Sequence, residues 1–207
     1  DTVTYIPEVK GIYKLNAAVN CAETLEGGLQ RTKNSAEWLL GDIKIDYYFA
    51  VDMNTMIELG DAIGGVDFEM DMNYTGHSGR RYLKGIQHLD GIGITDYVRA
   101  RTNATVDYND IGRTNRQREM MLAIFEKLRS DENIIWNLLE TATTQYDGFF
   151  TDITTAVIVR LALILPTVLS VDAQSIGSYV FTGPYRTSNS WNFTFTDQDN
   201  RLSVIKQ

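Results

Sequence analysis

The sequence predicts a layered α/β (α+β) domain, and three observations predict it. Strand-like and helix-like segments are interleaved along the chain, in strand-to-helix order. The apolar fraction of 43% and the charged fraction of 22% are those of an ordinary globular protein. A length of 207 residues suits one well-formed domain, so residues 1–207 are read as a single unit.

In order along the chain, Gly27-Gly28 opens "LQRTKNSAEWLLG", whose Leu29, Ala36, Leu39 and Leu40 fall at helical spacing before Gly41 closes the segment. "IKIDYYFAVD" (43–52), rich in Ile and Tyr, predicts a buried strand. "MNTMIELGDAIGG" (53–65) predicts a short helix ended by a Gly-Gly chain reversal, and "VDFEMDM" (66–72) alternates as a half-exposed strand does. Residues 73–81 predict a loop. "HLDGIGITDYVRAR" (88–101) offers Leu89, Ile92 and Tyr97 as inward positions, but two glycines weaken it as a helix. "TNATVDYN" (102–109) predicts a loop. A long helix then starts at Ile111, with Asp110 as N-cap and Met121, Ile124, Phe125 and Leu128 as its core stripe. Further helices are expected at 132–143 and 153–169, the latter a core helix through Ile153, Val157, Leu161 and Ile164. The tail gives two strands and a terminal helix.

Several function classes are disfavoured at once. A net charge of −8 argues against a non-specific nucleic-acid binder, which needs a segregated basic surface. The lone Cys21 precludes an internal disulfide framework and reads as a packed small residue. "AVIVRLALILPTVL" (156–169) is interrupted by Arg160 and Pro166 and is shorter than the ~20 apolar residues a membrane span needs. His77 and His88 stand apart from any ligand-like partner and read as surface or turn residues. No Gly-rich loop is followed by Lys-Ser/Thr.

Against that acidic background, five of the twelve arginines crowd into "YVRARTNATVDYNDIGRTNRQRE" (97–119). Arg113 falls in the first turn of the long helix, with Arg116 and Gln117 three and four residues on, on the same face. A cation there opposes the helix dipole. The first-turn N–H groups favour anions, and added guanidinium groups suit one that is large and multiply charged, such as a diphosphate. Arg99 and Arg101 share a side only where the chain is extended. The competing readings are a solvated arginine face paired with local carboxylates, and a nucleic-acid contact.

That stretch resembles the signature of the LytR–CpsA–Psr family, Y-x-R-x-R, a variable loop, then D-x-G-R-x-x-R-Q. "DT" (1–2), "YKLNAA" (13–18), "IDYYFAVDMNTMIELGDAIGGVDFEM" (45–70) and "LKGIQHLDG" (83–91) are similar to further motifs of that family, in order. The resemblance implies a central mixed β-sheet flanked by helices on both faces, with a hydrophobic groove for a lipid tail. It implies an extracytoplasmic, membrane-anchored phosphotransferase of Gram-positive-type bacteria. Such an enzyme attaches wall teichoic acid or capsule from a polyprenyl-pyrophosphate carrier to peptidoglycan with Mg²⁺; nucleic acid is not a partner. The same site also suits a polyprenyl-pyrophosphate hydrolase or a non-catalytic polyprenyl-phosphate-binding module. By motif position, Arg99, Arg101, Asp110 and Arg113 are the catalytic candidates, and Lys14, Arg116 and Gln117 the substrate-binding ones. Asp110 either positions Arg113 or assists deprotonation of the acceptor. The family's acidic metal ligands and the arginine of its P-R-D-T motif are expected before residue 1, together with N-terminal strands and an anchor. The chain as given is therefore expected to bind anions weakly and not to turn over.

Overall fold

The computed structural model describes residues 2–70, 73–100, 110–131, 133–136, 148–172, 185–188 and 191–195. The elements run β1 (Thr2–Ile6), a 3-10 turn (Pro7–Val9), β2 (Gly11–Lys14), a second 3-10 segment (Leu15–Cys21), α1 (Leu25–Leu39), β3 (Phe49–Val51), α2 (Met53–Ala62) and β4 (Val66–Met70). They continue with β5 (Tyr74–Thr75), β6 (Arg81–Tyr82), β7 (Gly85–Leu89), α3 (Gly91–Arg99), α4 (Asp110–Ser130), β8 (Phe149–Thr151), α5 (Thr155–Leu169), β9 (Tyr185–Ser188) and β10 (Trp191–Phe195). The mixed α/β class is as expected. The chain divides into two compact units, one comprising Asp1–Ala50, Phe150–Ile153 and Gly177–Gln207, the other Val51–Phe149 and Thr154–Ile176.

In the first unit a four-stranded mixed sheet runs β2-β1-β10-β9. β1 is parallel to β10 and antiparallel to β2, with Val3 opposite Lys14. Helix α1 begins earlier than its apolar spacing predicts, because the Thr24 hydroxyl accepts the Gly27 N–H (3.2 Å) and so caps it. Gly28 sits inside the helix because a Cβ there would fall 2.1 Å from the Val19 carbonyl oxygen. Cys21 is half-buried, its thiol donating to the Ala17 carbonyl, as a packed residue should be.

The buried strand expected at 43–52 contracts to Phe49–Val51, and Phe49 is 70% exposed. β3 itself pairs with β8, but on the backbone before it side chains have taken the place of a strand partner. The Asp46 carbonyl accepts from Lys33 Nζ (2.9 Å), and the Ile45 N–H donates to Glu37 (3.0 Å). The Tyr48 N–H donates to Asp152 (2.7 Å). Apolar composition at Ile43, Tyr47 and Phe49 suggested burial, but all three side chains are exposed.

The second unit holds the larger core, built from β4, the β5–β6 hairpin, β7, α3 and α4, with Ile63 just beyond α2. Asp52 caps α2 by accepting the Thr55 N–H (2.8 Å), and Gly64 and Gly65, at φ +73° and +68°, make the expected reversal into β4. β4 and β7 pair antiparallel with Val66 opposite Leu89. The loop expected at 73–81 carries β5 and the start of β6. Helix α3 forms in spite of its glycines, which have a packing role. A Cβ on Gly91 would fall 1.8 Å from the Ile57 carbonyl oxygen, and one on Gly60 would fall 2.6 Å from the Gly91 Cα. The two helices therefore meet backbone to backbone. Leu89 and Tyr97 are buried as expected, and Ile92 is half-buried.

Helix α4 is rolled by one residue from expectation. Met120 is 1% exposed and Met121 is 73% exposed, with Ile124 and Leu128 packed on the core below Met120. Spacing of four residues, 120–124–128, gives a tighter stripe than 121–124–125–128. In α5, Leu161 and Ile164 stand 45% and 52% exposed and are not core. Its sequence is apolar on nearly every side, so periodicity held no information about its inner face. Of the helix expected at 132–143, residues 133–136 are helical; the rest, the loop 102–109 and the terminal helix lie outside the described residues.

Two substitutions test this packing by urea denaturation. Met120→Ala is expected to lose about 2–5 kcal/mol, whereas Met121→Ala changes stability by less than about 0.5 kcal/mol. Gly91→Ala is expected to lose more than about 2 kcal/mol, because its new methyl group meets backbone that has no rotamer with which to yield.

Candidate functional site

Three elements of the second unit build most of one cavity, and Met53 at the start of α2 adds to it. Helix α3 supplies its C-terminal end. Asp90 caps the other end by accepting the Gly93 N–H (2.8 Å), and the glycine contact with α2 sets the helix position. Arg99 is its last residue and is exposed. Ala100 leaves the helix (φ −52°, ψ 120°), which is the extended exit that paired arginines at 99 and 101 require. Arg101 itself lies outside the described residues, and Asp110 is described only as the first residue of α4.

Helix α4 supplies the second element. Burying Met120 fixes its roll, and the positions three, four and seven residues earlier share that face: Gln117, Arg116 and Arg113. Arg116 donates to the Ala100 carbonyl (2.7 Å) and Gln117 to the Val98 carbonyl (3.3 Å). The Tyr97 hydroxyl donates to Glu119 (3.3 Å). The last carbonyls of a helix have no partner within it. Here α4 side chains satisfy those at the end of α3, tying the two arginine-bearing segments together.

The third element is the β5–β6 hairpin, with its turn closed by Gly76 N–H to Arg80 C=O (2.8 Å) and Gly79 N–H to Gly76 C=O (3.0 Å). Asp96, on α3 and only 3% exposed, holds it. The carboxyl group accepts from the Ser78 N–H (2.9 Å), the Ser78 hydroxyl (2.5 Å) and the Tyr82 hydroxyl (3.0 Å). The Asp96 carbonyl accepts from the Tyr74 hydroxyl (3.1 Å). Burial, then the bond to Asp96, pushes the Tyr82 phenol up to about 12. Arg80 adds an ion pair to Asp90 (2.6 Å). Burial works to raise the Asp90 carboxyl, but Arg80 and the Gly93 N–H outweigh it and hold the group below its ordinary value.

The cavity is about 820 Å³ and is lined by Arg99, Arg113 and Gln117 of α3 and α4 and by Thr75, Gly76 and His77 of the hairpin. Met53, Tyr74, Val98 and Ala100 complete it. Such a lining can neutralise a phosphoryl group and receive an apolar substituent beside it. Of the residues singled out from sequence, Arg99, Arg113 and Gln117 come together, and Arg116 braces the end of α3. Lys14 lies half-buried at the end of β2, in the first unit. His77, read from sequence as a surface or turn residue, lines the cavity, while His88 sits on β7 and pairs with Asp67 (2.8 Å). Asp96 and Ser78 had no sequence signal beyond an acidic residue inside an apolar helix. Among the described residues no three His, Cys, Asp or Glu side chains are placed to hold a metal. Among the described residues the cavity lining, arginines and neutral donors, offers no carboxylate to hold Mg²⁺.

By its layers this is a mixed α/β protein whose cavity suits an anion. The chain belongs to the LytR_cpsA_psr family, whose sequence model matches residues 1–207. It is 34% identical over 101 residues to the polyisoprenyl-teichoic acid–peptidoglycan teichoic acid transferase TagU of Bacillus cereus (strain AH820). That match covers 49% of this chain and 32% of the relative, so it spans about a third of the relative's length. Among solved structures it is similar to an Enterococcus faecalis protein described as a transcriptional regulator, with TM-score 0.78 and 26% identity over 99% of this chain and 71% of that one. A structure of TagT bound to LIIa-WTA shares the fold, with TM-score 0.77 and 22% identity over 100% of this chain and 74% of that one.

The Asp90–Arg80 pair makes a pH prediction. A carboxyl whose folded pKa is depressed stabilises above its unfolded value, and that stability is lost as pH falls through the folded value. The denaturation midpoint is expected to fall as pH drops below the ordinary 3.8 of Asp90, and Arg80→Ala to flatten that fall. Identical acid limbs in the two proteins would show that the pair contributes nothing.

Proposed function

We propose that the chain is the donor-binding domain of a glycopolymer–peptidoglycan phosphotransferase. Its substrates are a polyprenyl-pyrophosphate-linked polymer of teichoic acid or capsule type and a peptidoglycan hydroxyl. One observation carries this reading: Arg99 and Arg113, from separate helices, line one cavity that also has an apolar flank. Membership of a family whose relatives are named as teichoic acid transferases supports it.

The reaction follows from that lining. The acceptor hydroxyl oxygen forms a bond to the phosphorus that bears the polymer, and its proton passes to a base, the role open to Asp110, or to the departing phosphate oxygen. The bond from that phosphorus to the bridging oxygen breaks, and polyprenyl phosphate leaves with the electron pair. Negative charge grows on the leaving group and on the equatorial oxygens, and guanidinium groups already in place stabilise it without reorganisation. In this reading Arg99 and Arg113 hold the two phosphates, Gln117 donates a neutral hydrogen bond, and Arg116 keeps Arg99 in register through Ala100. Arg101 and Asp110 belong to the same proposal by motif position, Asp110 as positioner of Arg113 or as base, and Lys14 of the first unit is a substrate-binding candidate by motif position alone. An extracytoplasmic location and a membrane anchor belong to the same proposal, and so does Mg²⁺ assistance through ligands other than the described cavity lining. No helix among the described residues is long and apolar enough to cross a membrane.

The test uses the full-length protein with fluorescent lipid-linked donor and peptidoglycan fragments. Arg99→Ala and Arg113→Ala are each expected to weaken binding of farnesyl pyrophosphate, a donor surrogate, by about 10–100-fold, the size of a charge-assisted bond. Transfer is expected to fall at least as far. Phosphate release without a conjugate would replace the transferase reading with a hydrolase.

A further inference from the structure

We propose that the β5–β6 hairpin is the acceptor-facing wall of this cavity, with His77 as the side chain that contacts the acceptor sugar and Asp96 as the residue that positions it. The inference rests on the donor reading above and deepens it. The cavity is chemically two-sided. Its α3–α4 side carries Arg99, Arg113 and Gln117, side chains that donate to an anion. Its hairpin side carries Thr75 and His77, with Gly76 between them. A hydroxyl and an imidazole each combine donor and acceptor capacity, whereas a phosphate offers acceptors alone and calls for donors alone. A sugar hydroxyl both donates and accepts, so it matches the hairpin side and leaves the arginine side to the phosphates.

The hairpin is seated for such a task. Asp96 commits a buried carboxyl group to it, accepting three hydrogen bonds from Ser78 and Tyr82, and its carbonyl takes a fourth from Tyr74. Gly76 lies so close that a Cβ there would fall 2.1 Å from Asp96 Oδ2. Asp96 and Arg99 are three residues apart on one helix, so the carboxyl that seats the hairpin is rigidly linked to an arginine that lines the same cavity. His77 is next to Ser78 and is exposed, so it is free to meet a ligand while its neighbour anchors the backbone. Acceptor and donor would then be held by opposite walls of one cavity.

Calorimetry on the full-length protein tests this with two probes, farnesyl pyrophosphate for the donor side and the N-acetylglucosamine–N-acetylmuramic acid disaccharide for the acceptor side. In protein saturated with farnesyl pyrophosphate, His77→Ala is expected to weaken disaccharide binding about tenfold, the scale of one lost hydrogen bond with its desolvated partner. The pyrophosphate Kd is expected to stay where it was. Ser78→Ala loosens the Asp96 anchor and is expected to weaken the same probe and not the other, while Ser78→Thr, which keeps the hydroxyl, restores it. A merely structural role for Asp96 would move both affinities together. Disaccharide binding unchanged in His77→Ala, equal loss of both probes, or no disaccharide binding by the wild type would each overturn the proposal. Arg99→Ala separates the two readings: if it leaves the pyrophosphate Kd unchanged, the donor assignment fails, whatever His77 does.

Discussion

A carboxyl group that is taken out of water must be given hydrogen-bond donors, and Asp96 sets much of the second unit through that requirement. Leaving such a group unsatisfied costs several kcal/mol, more than the few tenths to 1 kcal/mol that most single turns or caps contribute. The hairpin residues Ser78 and Tyr82 supply the donors, and Gly76 supplies the clearance. One helix thereby holds both a hairpin wall and an arginine at its end. The glycine contact with α2 has the same effect from the other side, since backbone against backbone leaves no rotamer to relax.

Helix α4 shows how stability and a charged site share one face. Arg113 in the first turn opposes the macrodipole, which destabilises the helix by a few tenths of a kcal/mol. Burial of Met120 on that same face contributes about 1.5–3 kcal/mol. The stronger effect, burial, fixes the roll of the helix, and the weaker electrostatic penalty is tolerated as a consequence. Arg116 and Gln117 offset part of it by satisfying carbonyls at the end of α3 that would otherwise rely on water.

The same contrast separates what was readable from what was not. The helix start at Met53, the Gly64-Gly65 reversal and the alternation of 66–70 are local signals, and they held because their partners lie a few residues away; α4 begins at Asp110 itself, one residue before the expected start. The register of α4 was missed by one residue because Met120 and Met121 are equally apolar, and only the position of α3 and β4 chooses between them. The strand at 43–52 is shorter than its composition predicts, because composition does not show that Lys33, Glu37 and Asp152 bond its backbone from elsewhere in the chain. Gly91 counted against a helix in the sequence because the atom that requires it, the Ile57 carbonyl oxygen, is thirty-four residues away.

By itself the sequence determined the family, the α/β class and the arginines concerned, because motif spacing and charge density are properties of neighbours along the chain. Only the tertiary structure decided that Arg99 and Arg113 line one cavity, that Arg116 braces a helix end, and that His77 lines the same cavity from a hairpin that Asp96 holds. Those facts depend on contacts between segments that a linear pattern does not record: a side chain acquires its role from the surface it meets, and that surface exists only once the helices and hairpin have packed.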